Sequence, residues 1–186
     1  MMITQLSPHE RVPPSDGNGV DDVLAVLNRE QRALERLLFR LHHVRGVLVA
    51  ADERFLGMAA DELEVAAEEV REIEACRAAV MDRGSSVSLR ALALDAREPH
   101  STLLHEHRAA LGRLAGEVGA LLESTQDLAS DRLAELSGAR PRYRRTRRVR
   151  CGLGDDLDRA VAAAGYESVL AASTSLRLPA LVSFLA

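Results

Sequence analysis

Lysine and tryptophan are both absent from this 186-residue chain, and aromatic residues make up only 3% of it. All 24 basic residues are arginine, a coding bias that carries no chemistry by itself. With so few rings available, a core must be built from Leu, Ala and Val, which suits helices and argues against a β-sandwich. The only cysteines, Cys76 and Cys151, lie far apart, which excludes a disulfide framework and a thiolate metal cluster. A reducing, cytoplasmic setting is the simpler expectation. No run of about 20 apolar residues occurs, so no membrane-spanning helix is expected. Nor does a charged start lead into a long apolar run, so no signal peptide is expected.

Signatures of catalysis and metal binding are also missing. His42 and His43 are adjacent, and His105 and His107 are two apart, so each pair diverges on a helix. No His recurs four positions on, and no Glu precedes a His by three, which excludes the Glu-x-x-His pattern of di-iron bundles. His107 falls on an apolar seam and reads as a core or boundary histidine. Cys76 lies beside another seam and reads as a buried structural thiol. Cys151 sits in a positive stretch that favours its thiolate, but no catalytic partner is in view. Gly152-Leu153-Gly154 lacks the third glycine and the preceding strand of a dinucleotide motif. The chain is therefore read as a non-enzyme with no cofactor and no metal site.

What is present is helical periodicity. Apolar residues recur at Leu27, Leu34, Leu37, Leu38, Leu41, Val44 and Leu48. They recur again at Leu56, Ala59, Leu63, Ala66, Val70, Ile73 and Val80, where only Arg77 interrupts. A third seam runs through Leu104, His107, Leu111, Leu114, Val118, Leu121, Thr125 and Leu128. The expected fold is all-α: an elongated antiparallel bundle of three long helices, with a short fourth helix and flexible ends. Asp21 or Asp22 is expected to cap the first helix, which ends near Ala50, and Asp52 to cap the second. Ser88–Leu94 reads as a short helix or turn, and a third long helix spans Pro99 to Leu136. Gly46 is a poor helix former, expected to permit a close helix approach or a bend, and packing is expected to offset the helix cost of Gly112, Gly116 and Gly119.

The segments divide as follows: 1–19 a Pro- and Gly-rich tail, 20–137 the helical bundle, 138–154 an Arg-rich linker, and 155–186 a C-terminal helix with an apolar tail. Seven arginines and no acid lie between residues 140 and 150, leaving 17 basic against 28 acidic residues, or −11, elsewhere. The tract reads as a solvated linker against the acidic body, with contact to another protein as the next alternative and phosphate or nucleic-acid binding after it. Tyr143 is the only aromatic residue interleaved with it, thin provision for base stacking. Acids of the second helix avoid its seam and read as a solvated face.

Leu34–Leu41 (LERLLFRL), then Val47–Ala51 and Arg54-Phe55-Leu56, resemble FlgN-type flagellar export chaperones of actinobacteria. The likeness continues through Glu98-Pro99 and Leu104–Leu111, and returns in the Phe-containing apolar end Leu181–Leu185. Where that family carries a turn Gly and a Trp, this chain has Ala51 and Phe55. The resemblance implies a cytoplasmic chaperone. It would bind hook–filament junction proteins and deliver them to the membrane export gate of the flagellar type III apparatus. It implies no reaction and no cofactor, no nucleic-acid partner and no membrane insertion. Helix-in-groove capture by a detachable apolar tail is compatible with this. Leu178, Leu181, Val182, Phe184 and Leu185 are the expected client contacts. A Tyr linked to the export gate in the family corresponds to Tyr143, with Tyr166 as the other choice.

Two readings stand beside it. His42-His43-Val44-Arg45-Gly46 resembles the His-x-x-Arg-Gly core of histidine phosphotransfer bundles, with His42 as phosphoryl acceptor and Arg45 as the cation. The other is a structural coiled-coil interaction protein.

Overall fold

The computed structural model describes residues 18–82, 88–138, 152–176 and 178–186. Among them all regular structure is helical: α1 (Asn18–Ala50), α2 (Leu56–Asp82), α3 (Leu89–Asp95), α4 (His100–Gly138), α5 (Gly152–Ser175) and α6 (Pro179–Leu185). The Arg-rich tract, Tyr143 and Cys151 lie outside the described residues.

The two seams of α1 and α2 face inward. All their members are buried except Leu38 and Val80, which are half-buried. A fully buried leucine contributes roughly 1.5–3 kcal/mol, so these rows dominate cohesion. α4 follows a seven-residue rhythm. Leu104, Leu111, Val118 and Thr125 are fully buried, while Leu114, Leu121 and Leu128 are half-buried. Thr125 is tolerated there because its hydroxyl donates to the Leu121 carbonyl at 2.7 Å. His107 is half-buried, and burial lowers its pKa.

Helix ends depart from expectation in instructive ways. α1 starts at Asn18, which places Asp21 inside its first turn, near the positive end of the helix dipole. Asp52 makes no side-chain cap; its carboxylate instead takes Arg54 Nε and Nη2 at 2.9 and 3.0 Å. Those bonds hold its pKa below the usual value. The turn is made by the backbone. The amides of Ala51 and Asp52 donate to the carbonyls of Leu48 and Val47, and Ala51 adopts φ 51°. This is a Schellman closure with alanine where glycine is favoured. Ser88 caps α3 by accepting from the Ala91 amide.

The close helix approach expected as one option at Gly46 is not there. A Cβ on Gly46, Gly112, Gly116 or Gly119 would meet nothing within 4 Å, so packing does not require any of them. The close approach is at Gly165, where a Cβ would stand 2.9 Å from Leu56 Cβ. That contact lets α5 lie against the start of α2.

α5 is also more than a short appendage. It spans 24 residues and completes a four-helix ring in which α1 packs on α2 and α4, and α5 packs on α2 and α4. Its inward residues include Ala162, Tyr166, Val169 and Ala172. Asp21 of α1 and His100 of α4, both in first turns, are 3.1 Å apart, so these neighbours run parallel. Each is antiparallel to its hairpin partner. The short α3 carries the chain between the two hairpins and packs on α4 and α6.

Candidate functional site

The expected client-binding tail is α6, and it is docked on the bundle. Pro179 occupies the first turn, where a missing N–H costs nothing, and the Val182 amide donates to the Leu178 carbonyl at 3.0 Å. Spacing of three and four residues then places Leu181, Phe184 and Leu185 on one side. Leu181 and Leu185 are buried, Phe184 and Leu178 are half-buried, and Val182 is exposed. The helix packs on α4 and α3. Its end is pinned by Arg108, whose Nε donates to the Leu185 carbonyl at 2.7 Å.

Beneath α6 lies a charged pivot. Arg77 occupies a seam position of α2, and Glu30 occupies the corresponding place in α1, between Leu27 and Leu34. Both are buried and they form a direct ion pair. The Arg77 guanidinium also lies 4.5 Å from the centre of the Phe184 ring, a cation–π contact worth about 0.5–2 kcal/mol. One side chain therefore joins α1, α2 and α6. Two acids share this cation: Glu30 Oε2 and Glu74 Oε1 are buried without a hydrogen-bond partner among the described residues. Burial raises the pKa of both carboxyls, outweighing the attraction of Arg77. Each seam's interruption was visible in the sequence, but that the two interruptions meet was not inferred.

At the opposite end Tyr166 is fully buried, with its hydroxyl 3.5 Å from Glu53 Oε1. Burial raises its pKa, and the nearby Glu53 adds to the shift. A side chain in that position closes the core.

Cys76 is exposed, contrary to the buried thiol expected. It is one position off the seam, which Ile73 and Arg77 occupy, and so emerges on the α1 side of α2. His42 and Arg45 are exposed on α1. The acids of α2 divide. Asp61, Glu64, Glu68 and Glu72 face solvent, while Glu62 and Glu69 pair with Arg40 and Arg36 of α1. Among the described residues no group of three or more His, Cys, Asp or Glu is placed to hold a metal ion, and no helix is long and apolar enough to cross a membrane.

No protein-family model, curated protein or solved structure matches this chain.

Proposed function

We propose that this protein is a flagellar export chaperone. It holds an amphipathic helix of a hook–filament junction protein in the cytoplasm and hands it to the type III export gate. The observation that carries the reading is α6, a seven-residue apolar helix that packs chiefly on α3 and α4 among the described helices. This is helix-in-groove recognition made within one chain. Leu181, Phe184 and Leu185 cannot serve the bundle and a client at once, so capture requires α6 to leave its seat. The ordering cost of exchanging one helix for another keeps affinity moderate and release possible.

The α1–α2 turn supports the family resemblance from a second direction. Ala51, which stands where the family carries a turn Gly, is the one non-glycine residue with positive φ among those described. A left-handed residue belongs at that place in the hairpin whichever side chain is present.

The test is a pull-down of hook–filament junction proteins from the source bacterium by the full chain and by a chain ending at Leu176. Binding by the full chain and loss on truncation places the client on α6. Binding by both moves the site to the bundle. Binding by neither removes the chaperone reading. His42, exposed on a four-helix bundle, keeps phosphotransfer as the second reading; acetyl-phosphate labelling lost on His42→Gln would favour it.

A further inference from the structure

The outer face of the α1–α2 hairpin has properties that neither the core nor the α6 seat explains. Phe39 is 64% exposed and Val65 is 72% exposed, though both are large and apolar. Around them, Arg32, Arg36 and Arg40 form a basic row on α1, with Glu35 at its edge, and Glu62, Glu69 and Glu72 an acidic row on α2. Adjoining clefts run along this face and share Arg36.

The two rows are in register. Arg40 binds Glu62 at 2.8 Å, and Arg36 binds Glu69 through Nε at 2.9 Å. Phe39 lies between those arginines in α1, and Val65 lies between those glutamates in α2, so the two stand at the same level of the hairpin. Arg32 and Glu72 line one cleft, again at a common level, and neither has an ion-pair partner among the described residues.

We propose that this face is the contact of a homodimer, with its two-fold axis parallel to the helices. Such an axis preserves level and exchanges the helices, laying α1 of one copy over α2 of the other. Phe39 then meets Val65 of the second copy, and Arg32 meets Glu72, each contact made twice. A two-fold perpendicular to the helices would instead set basic row on basic row and acidic on acidic. Charge complementarity therefore selects both the occupant, a second copy, and the operator. The hairpin face is about 40 Å long and roughly 20 Å wide, on the order of 800 Å² per copy, the size of a standard specific interface. This proposal does not depend on the chaperone reading, since the face is separate from α6.

Light scattering on the full chain over a concentration series tests it. Twice the 20.2 kDa chain mass is expected at high concentration and low salt, weakening as salt rises. Phe39→Glu and Val65→Glu, at solvent-exposed positions that leave the fold intact by circular dichroism, should each raise the dimer dissociation constant on the order of tenfold or more. Arg32→Glu or Glu72→Arg alone should weaken the dimer, and the two together should restore it. In a chain with Cys76 and Cys151 replaced by Ser, Phe39→Cys with Val65→Cys should give a disulfide-linked dimer. A chain that is monomeric at all concentrations overturns the proposal. So does a dimer indifferent to these substitutions, or one unrestored by the double charge exchange.

Discussion

The two ends of the bundle are closed in different ways. At the α1–α2 turn, Tyr166 is buried in the core and Gly165 lets α5 approach Leu56 at backbone range. That end is shut by an internal segment of a long helix. At the other end the lid is α6, seven residues ending the described chain, seated on a buried ion pair with surplus negative charge. The first end gains cohesion from shape, and the charges near its buried tyrosine, Glu53, Arg132 and Glu135, are all partly exposed. The second depends on a single guanidinium satisfying a carboxylate, a ring and a helix junction together. Local opening is expected at the second.

The comparison can be broken hardest at Arg77. Arg77→Leu leaves Glu30 buried without a cation and removes the support under Phe184. Denaturant unfolding should show a loss of about 3–5 kcal/mol. Replacing both Glu30 and Arg77 by Leu should recover part of it, because the buried Glu30 charge goes with its partner while Glu74 stays without the cation. At the fixed end, Gly165→Ala pushes a methyl against Leu56 Cβ and should cost about 1–3 kcal/mol. The same substitution at Gly116, which faces open space, should instead stabilise by about 0.5–1 kcal/mol.

Acidity acts on the end closed by α6. Glu30 and Glu74 titrate near 4.5 when unfolded and higher when folded, since burial disfavours their charge. The folded chain holds their protons more tightly. Their contribution is therefore fully present below about pH 4.5 and is lost as pH rises through the raised folded values. Glu74→Gln should stabilise the protein at pH 7 relative to pH 4.5, when each is compared with wild type by melting temperature. The comparison with wild type cancels the opposite trends of Asp52 and His107. The smallest effect is expected at the turn. Ala51→Gly relieves a left-handed alanine and should raise stability by up to about 1 kcal/mol, strengthening the fixed end.

Much of this architecture was legible because leucine and valine report their own burial through spacing. The inward rows of α1, α2 and α4 follow directly from the positions of Leu34, Leu63 and Leu111 and their neighbours. The fourth helix was underread because its inward face is partly small: Ala162, Gly165 and Ala172 pack closely without a strong hydrophobic period. Glycine is hard to read for a related reason. Gly112, Gly116 and Gly119 cost helix propensity but touch nothing, whereas the one glycine needed for contact lies in the helix expected to be weak. The pivot left a clear trace, since Glu30 and Arg77 are charged residues at seam positions of adjacent helices, and such a pair belongs together in an apolar interior. The apolar residues of α6 could be identified, but not their docking, because composition does not say which surface an apolar end covers.

The difference between the two ends is tested most directly by native-state hydrogen exchange of the full chain. The amides of Val182 and the residues after it should exchange through a local opening that costs much less than global unfolding. Those around Tyr166 and Val169 should exchange only when the whole bundle unfolds. Equal opening free energies in α6 and α5 would show that α6 is an integral wall of the bundle, and would contradict its role as a releasable helix.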